Sequence, residues 1–592
     1  MEVRENNKMT IHHKIKKWIE ETLKVDKDFV LEYPADPSHG DFATNVAMVE
    51  YRKISKILDS NVPEGKHKED GLRWVGEANN PRELAEKYKQ ILEENKIDEV
   101  SGVFVAGPGF INITIDPKLF ALAIEKIDKV GETFGENKHY AGSRFLIEYA
   151  QPNPFKEFHI GHMMNNVIGE SVAKLIESQG NEVVRFSYHG DVGLHVAKTI
   201  WGVINLGVGT NLNIKTLGQA YALGAKFYED DDVVKKEIIE INKKIYDKSD
   251  QEINILYDKG RQISLDDFEK IYERLGSHFD HHFYESESAP VGKKLVEEFL
   301  EKGVFEKSEG AIIFKGEKVG LHTRVFLNSD GLPTYEAKEI GLMYIKKEKY
   351  SPFDISITVT ANEQDAFFKV VEKALEEVFP ELNGKLLHLS HGLIKLPSGK
   401  MSSRTGDVLT AEWIIDTLKE GSINKIREPL ISPEEKEIIA EMVALGALKF
   451  SILRQAIGGD IVFDINKALS LDGDSGPYLQ YSVVRAEALL RKSRGQIEIS
   501  GKQPEGWKVT LLERLLERFP SILERSTNEY APHHLVTYLT ALSSEFNSFY
   551  SVEKIIDNEN VNSSYKLAIV KAFIYVMTSG LNILGIKIPE RM

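Results

Sequence analysis

Apolar positions recur at helical spacing from about Ile11 to Leu23, so an amphipathic helix is expected there. Val103–Ala106 and Phe110–Ile115 instead flank Gly107-Pro108-Gly109 with strand-forming residues, which predicts strand, turn and strand. Together these elements describe a small α/β domain over residues 1–135. From Arg144 the pattern becomes a repeated strand, loop and helix. Phe145–Tyr149 reads as a strand, followed by a helix from about His162 to Gln179 that stops at Gly180. Glu182–Tyr188 is a second strand leading into His189-Gly190-Asp191. Apolar runs at Ala311–Phe314, Arg324–Leu327, Ile355–Val359 and Leu386–Leu389 then alternate with helical stretches. Such alternation predicts a doubly wound, Rossmann-like parallel sheet over 136–410, with ligands at the C-terminal strand ends. The charged helical stretch near 211–300 reads as an insertion in a crossover. After about Ala411 strand signals fade. Helical patterns at Glu434–Ile457, Pro477–Lys492, Val509–Leu523, His533–Tyr550 and Asn562–Leu584 predict an all-α bundle over 411–592.

A length of 592 residues accommodates roughly three to five domains. No uninterrupted apolar run reaches bilayer length, and the first residues are charged, so neither a membrane span nor a signal peptide is expected. The absence of cysteine excludes disulfides and thiolate metal sites and suits a reducing cytoplasm. A net charge of -16 weighs against a nucleic-acid partner on average. An acidic chain can still carry one basic face, so the class stays open.

The sharpest local feature is Asn153-Pro154-Phe155-Lys156-Glu157-Phe158-His159-Ile160-Gly161-His162, after a strand and at the opening of a helix. Free N–H groups and the helix dipole attract anions there. His159, His162 and Lys156 add donors for phosphate oxygens, and Gly161 permits close approach of a base. The alternative, half of a metal site, lacks a third ligand of suitable spacing. Downstream stands Lys400-Met401-Ser402-Ser403-Arg404, a short basic loop suited to closing on a triphosphate and following charge on departing pyrophosphate.

His159-Ile160-Gly161-His162 and Lys400-Met401-Ser402-Ser403 resemble the two signature motifs of the class I aminoacyl-tRNA synthetases. Further segments resemble the arginyl-tRNA synthetases in particular. They are His39-Gly40-Asp41-Phe42-Ala43-Thr44-Asn45, Gly107–Asn112, Gly473–Tyr481, Phe546–Tyr550 and the terminal Ile588-Pro589-Glu590-Arg591-Met592. The resemblance implies ATP-dependent ligation of L-arginine to tRNA(Arg) through an arginyl-adenylate, with tRNA bound before activation. It implies an N-terminal tRNA-binding domain, a catalytic domain and a helical anticodon-binding domain. The substrates are ATP with Mg2+, L-arginine and tRNA(Arg), with no zinc, and the expected enzyme is a cytoplasmic monomer.

By the same resemblance His159, His162, Lys156 and Lys400 are catalytic, while Gly161, Gly190, Asp191, Met401, Ser402 and Ser403 line the ATP site. Glu148, Tyr335 and Glu339 are assigned to the guanidinium, and Asn153 and Gln364 to the backbone end of arginine. Carboxylates suit that planar cation, and Tyr335 and Glu339, four apart, share a helix face. Glu336 is the nearest decoy. Tyr481, Phe549 and Tyr550 are candidates for stacking on tRNA bases, each weighed against a place in a helical core, and Arg485 for a phosphate contact, weighed against a merely solvated face. The chain departs from the family pattern in Glu339 for the usual Asp, Phe367 for a common His and Val192 for a frequent Trp. It also carries Ser403 where the class places a lysine, with Lys156 available to supply that charge. The rival readings are a class I synthetase for another amino acid and a non-catalytic tRNA-binding relative.

Overall fold

The computed structural model describes residues 9–34, 36–58, 78–137, 142–207, 212–395, 397, 410–426, 432–494 and 497–592. Its chain divides into two compact units. One comprises Met1–Gly135, Arg485–Ile522 and Ala541–Ser579, and the other Glu136–Val484, Leu523–Thr540 and Gly580–Met592.

In the first unit α1 (Ile11–Leu23) is N-capped by Thr10, whose hydroxyl accepts from the His13 N–H, and it buries Ile15, Trp18 and Ile19 along one face. β1 (Leu31–Glu32), β2 (Phe42–Thr44), α2 (Val46–Leu58), α3 (Pro81–Glu94), β3 (Val100–Ala106), β4 (Phe110–Ile115) and α4 (Lys118–Val130) follow. The strands form an antiparallel sheet in the order β1-β2-β4-β3. The β3–β4 turn is the expected Gly-Pro-Gly. Gly109 has φ +131°, and a Cβ there would lie 2.9 Å from the Pro81 carbonyl carbon, so only glycine fits.

The second unit contains β5 (Arg144–Glu148), α5 (Ile160–Ser178), β6 (Glu182–His189), α6 (Leu194–Leu206) and the insertion helices α7 (Ile214–Asp230), α8 (Asp232–Asp247) and α9 (Gln251–Leu275). Next come β7 (His281–Tyr284), α10 (Glu285–Glu301), β8 (Glu306–Ser308), β9 (Ala311–Phe314), β10 (Arg324–Leu327) and α11 (Tyr335–Tyr350). β11 (Ile355–Ala361), α12 (Asp365–Val378), β12 (Leu386–His391) and β13 (Ile394–Lys395) complete the α/β part. Five strands form one parallel sheet in the order β12-β11-β5-β6-β7. Strand order reverses between β5 and β11, and a doubly wound sheet binds ligands in the crevice outside the carboxyl ends at that switch. Glu148, opposite Thr358 in the register, stands there.

The sheet's membership differs from the expectation in two places. Ala311–Phe314 and Arg324–Leu327 belong to a separate antiparallel sheet of order β10-β9-β8. Only nine residues, 315–323, join them, too few for a parallel crossover. The fifth parallel strand is instead β7, inside the stretch read as helical. Its His-His-Phe-Tyr sequence buries only Phe283 fully, as suits an edge strand, and carries no apolar run to betray it.

Beyond residue 410 lie α13 (Ala411–Ile423), α14 (Pro433–Leu453), β14 (Ile461–Val462), α15 (Ile465–Ala468), α16 (Gly476–Ser493), α17 (Leu511–Asn528), α18 (Pro532–Val552) and α19 (Ser563–Ile583). The helices match the patterned segments, but β14 pairs with β13 where no strand was expected. By length and composition α19 is apolar enough to cross a membrane, although Lys566 and Lys571 interrupt its apolar run, and most of that stretch is buried inside the protein, as in a core helix.

Candidate active site at the sheet's switch point

The chain between β5 and α5 is held in an unusual path. Ala150, Gln151 and Phe155 all have left-handed backbones, with φ of +70°, +53° and +68°. Such conformations in non-glycine residues persist only where their surroundings enforce them. The Phe155 N–H donates to Ser264 Oγ at 2.9 Å, and the Phe155 ring lies against Gly260, where a Cβ would sit 2.3 Å from Cε1. From the other side His189 Nδ1, at the end of β6, donates to the Pro152 carbonyl at 2.8 Å. Thus α9 and β6 clamp the loop that carries the site.

α5 starts at Ile160, two residues before the expected His162, because His159 is its N-cap. His159 Nδ1 accepts from the N–H groups of Gly161 (3.1 Å) and His162 (3.4 Å), while His162 Nδ1 accepts from the His159 N–H at 3.4 Å. The rings stack with centroids 3.5 Å apart. An Nδ1 that accepts from a backbone N–H leaves the ring proton on Nε2, so each neutral imidazole keeps one donor. Burial, reinforced by Lys156, lowers the His159 pKa to about 4, and burial with His159, Lys156 and His189 holds His162 well below its usual value. At neutral pH both rings are uncharged Nε2–H donors at a helix N-terminus. Gly161 is needed beside them, since a Cβ would stand 3.0 Å from His159 Cε1.

The Lys156 ammonium lies 4.5 Å above the Tyr221 ring of α7. Thr410 bridges antiparallel to His159, and the Ala411 N–H donates to the Phe158 carbonyl at 2.9 Å. Lys400, Met401, Ser402 and Ser403 lie outside the described residues.

At the end of β6 the Gly190 N–H donates to Asn153 Oδ1 at 3.2 Å, and a Cβ on Gly190 would sit 2.5 Å from that oxygen. Gly190 and Asn153 are therefore mutually fitted. Asp191 is fully buried and its carboxylate is taken up by the Ser286 N–H (2.9 Å), Ser286 Oγ (2.8 Å), Tyr257 (3.1 Å) and Arg261 (3.0 Å). It fastens β6 to α9 and α10, and those donors leave its oxygens engaged within the protein.

The carboxylates expected to meet a guanidinium are both at the switch point. Glu148 is buried, with Oε1 accepting from Gln151 Nε2 at 2.5 Å and Oε2 paired with the buried Lys346. Glu339, on α11 two turns before Lys346, has its pKa pushed up to about 8 by burial and by the Glu148 charge, against the pull of Lys346. Tyr335 is 64% exposed at the start of α11. Glu336 is not available, since Arg324 holds it at 3.0 Å. Gln364 is exposed just after β11, at the same end of the sheet. Phe367 has the Arg324 guanidinium 5.4 Å from its ring, and Val192 is buried among Val196, Ile200 and Ile245. Lys346 and Gln151 escaped the sequence reading. The signal for Lys346 was its two-turn spacing from Glu339, hidden in the run Lys346-Lys347-Glu348-Lys349.

A family model described as tRNA synthetases class I (R), catalytic domain, matches residues 128–465. The chain belongs to the arginyl-tRNA synthetase family of class I. Models described as Arginyl tRNA synthetase N terminal domain and DALR anticodon binding domain match residues 9–115 and 479–592. The arginine–tRNA ligase of Treponema denticola is 30% identical over 531 residues, 85% of this chain and 88% of its own. That of Flavobacterium psychrophilum is 29% identical over 547 residues, 87% and 90% respectively. The arginyl-tRNA synthetase structures from Plasmodium falciparum and Thermus thermophilus share the fold, with TM-scores of 0.78 and 0.76 at 19% and 21% identity. They cover 99% and 98% of this chain and are themselves covered over 100%.

Away from the switch point the tRNA candidates of this arginyl-tRNA synthetase family member separate. Phe549 is only 6% exposed, so its ring cannot stack on a base, and it leaves the candidate set. Tyr550 is 40% exposed, with the Arg485 guanidinium 5.2 Å from its ring, and Arg485 donates to Asn547 Oδ1 at 2.6 Å. Tyr481, in the second unit, lines a cavity with Ser470, Asp472 and Met592.

Proposed function

We propose that the chain ligates L-arginine to tRNA(Arg) for translation. In the first step an oxygen of the arginine carboxylate attacks the α-phosphorus of ATP. The bond to the bridging β-phosphate oxygen breaks, and pyrophosphate leaves arginyl-adenylate behind. In the second step a hydroxyl of the terminal tRNA ribose attacks the activated carbonyl, releasing AMP and a proton. Neither step needs a covalent enzyme intermediate, so catalysis is alignment and stabilisation of developing charge.

The observation that carries this reading is the pair of neutral Nε2–H imidazoles at the α5 N-terminus, beside two carboxylates at one switch point. His159 and His162 donate to phosphate oxygens, Lys156 leaves the Tyr221 face to meet the same phosphates, and Lys400, assigned by its match to the second class I motif, adds a further cation for them. Gly161 and Gly190 face the nucleotide, and Met401, Ser402 and Ser403 join the ATP set by their match to the family motif, whereas Asp191 positions the β6 end without touching it. Glu148, Tyr335 and Glu339 receive the guanidinium, and Asn153 and Gln364 the α-amino and carboxylate end. Mg2+ arrives on ATP, held by phosphates and water. Residues 1–135 and 411–592 bind tRNA, the latter the anticodon arm, and tRNA is required before activation; we assign the enzyme to the cytoplasm as a monomer.

Charging of tRNA with a panel of amino acids tests the reading: arginine alone is expected. Charging with another acid, or none, selects a rival. Lys156→Ala should slow tRNA-dependent ATP–pyrophosphate exchange at least about tenfold, the loss of one charge-assisted contact. A near-normal rate would remove Lys156 from the phosphate set.

A further inference from the structure

Two carboxylates around one monovalent guanidinium are one charge too many. Each would be taken out of water, and two buried like charges raise one another's pKa until one holds a proton. The second unit contains the balancing cation. Lys346 lies on α11 two turns after Glu339, both it and Glu148 have side chains only 2% exposed, and its ammonium is bonded to Glu148 Oε2. Gln151, in its left-handed conformation, takes the other Glu148 oxygen. We propose that Lys346 is the positioning residue of the guanidinium site: it fixes Glu148 and leaves Glu148, Glu339 and Lys346 with one net negative charge, matched to one monocation. The inference rests on the assignment of Glu148 and Glu339 to the guanidinium made above.

The surroundings of Glu339 fit this role. Around it stand Glu148 on β5, Glu285 on α10, and Glu336 and Lys346 on α11, the lysine being the cation that lowers its pKa. Tyr188 on β6 feels the Glu339 charge in return. Two of the other acids are already neutralised, Glu285 by Lys338 at 2.5 Å and Glu336 by Arg324 at 3.0 Å. A small cavity of about 20 Å³ between α11, α12 and the sheet has a mostly apolar lining that also includes Glu339, Lys346, Ser356, Thr358 and Glu372, room for one water beside those polar groups. Burial holds the Glu339 pKa near 8 and raises that of Glu372 to about 7. Arginine binding therefore drives a proton off Glu339, and Lys346 keeps that proton loose enough to leave near neutral pH. Without Lys346, Glu339 holds its proton more tightly, and the guanidinium must displace it at greater cost.

The test uses the full chain with tRNA in ATP–pyrophosphate exchange, reading the KM values of arginine and ATP from pH 6.5 to 8.5. Lys346→Met should raise the arginine KM at pH 7 about tenfold, leave the ATP KM within about twofold and move the pH dependence of the arginine KM upward by about one unit. Lys346→Arg, which keeps the charge, should return the arginine KM to within about threefold of the parent. An arginine KM within about twofold of the parent and an unshifted profile in Lys346→Met would overturn the proposal, as would equal rises in both KM values. Should Lys346→Met fail to fold, the unmodified enzyme decides: its arginine KM should fall about fivefold from pH 7 to 8 with the ATP KM flat, and a flat arginine KM overturns the charge matching. Glu339→Gln separates the two levels. If it leaves the arginine KM unchanged, the guanidinium assignment itself fails. If it raises that KM while Lys346→Met does not, only the role of Lys346 is lost.

Discussion

Ser264 touches no candidate substrate residue, yet removing its hydroxyl should slow activation. Ser264 is fully buried on α9, and its Oγ accepts from the Phe155 N–H at 2.9 Å while donating to the Gly260 carbonyl at 2.9 Å. Ser264→Ala leaves the Phe155 N–H buried without a partner, which costs about 1–3 kcal/mol. The left-handed backbone at Phe155 stores a further ~1–2 kcal/mol that this hydrogen bond helps to hold. The loop can escape both penalties by relaxing toward an ordinary conformation, and Lys156 and His159 move with it. If only the lost hydrogen bond is felt in the transition state, kcat/KM falls about 5- to 150-fold, since ~1.4 kcal/mol is a factor of ten. Steady-state ATP–pyrophosphate exchange with tRNA present, alongside a thermal melt, measures both consequences. A Ser264→Ala enzyme that melts slightly lower but exchanges within about twofold of the parent would refute the clamp.

Gly190→Ala brings a Cβ against Asn153 Oδ1, so the arginine KM should rise about tenfold or more while the ATP KM changes less, read in the same exchange assay. His159 gives a signed pH effect on stability. Its folded pKa, about 4, lies below the ~6.5 of the unfolded chain, so its neutral burial contributes fully above pH 6.5 and the contribution is lost as pH falls toward 4. Compared with His159→Gln, the parent should therefore lose about 1.4 kcal/mol between pH 7.5 and 5.5, which urea midpoints at the two pH values report. An unchanged gap between the two proteins would mean that the folded imidazole titrates like a free one.

What the chain revealed by itself were features written in near neighbours. The α5 terminus depends on His159, Gly161 and His162, all within one turn, so the motif and its helix could be read together. The helical segments beyond residue 410 carry their own apolar periodicity, and the Gly107-Pro108-Gly109 turn its own backbone requirement. Those local signals, in their shared order, were enough for the doubly wound class and the family. The partners that give the site its charges were decided only by tertiary structure. Lys346 reaches Glu148 across 198 residues of sequence, and its run of lysines looks like a solvated face until the helix is docked on β5. Glu336, the decoy for Glu339, is set apart by Arg324 from a different sheet. Strand membership was likewise non-local: β7 has no apolar run of its own and joins the parallel sheet through hydrogen bonds to β6, while β9 and β10 have the runs but too short a connection. Periodicity records which face of an element is buried; the other element that buries it, and the charge that element brings, is a property of the folded chain.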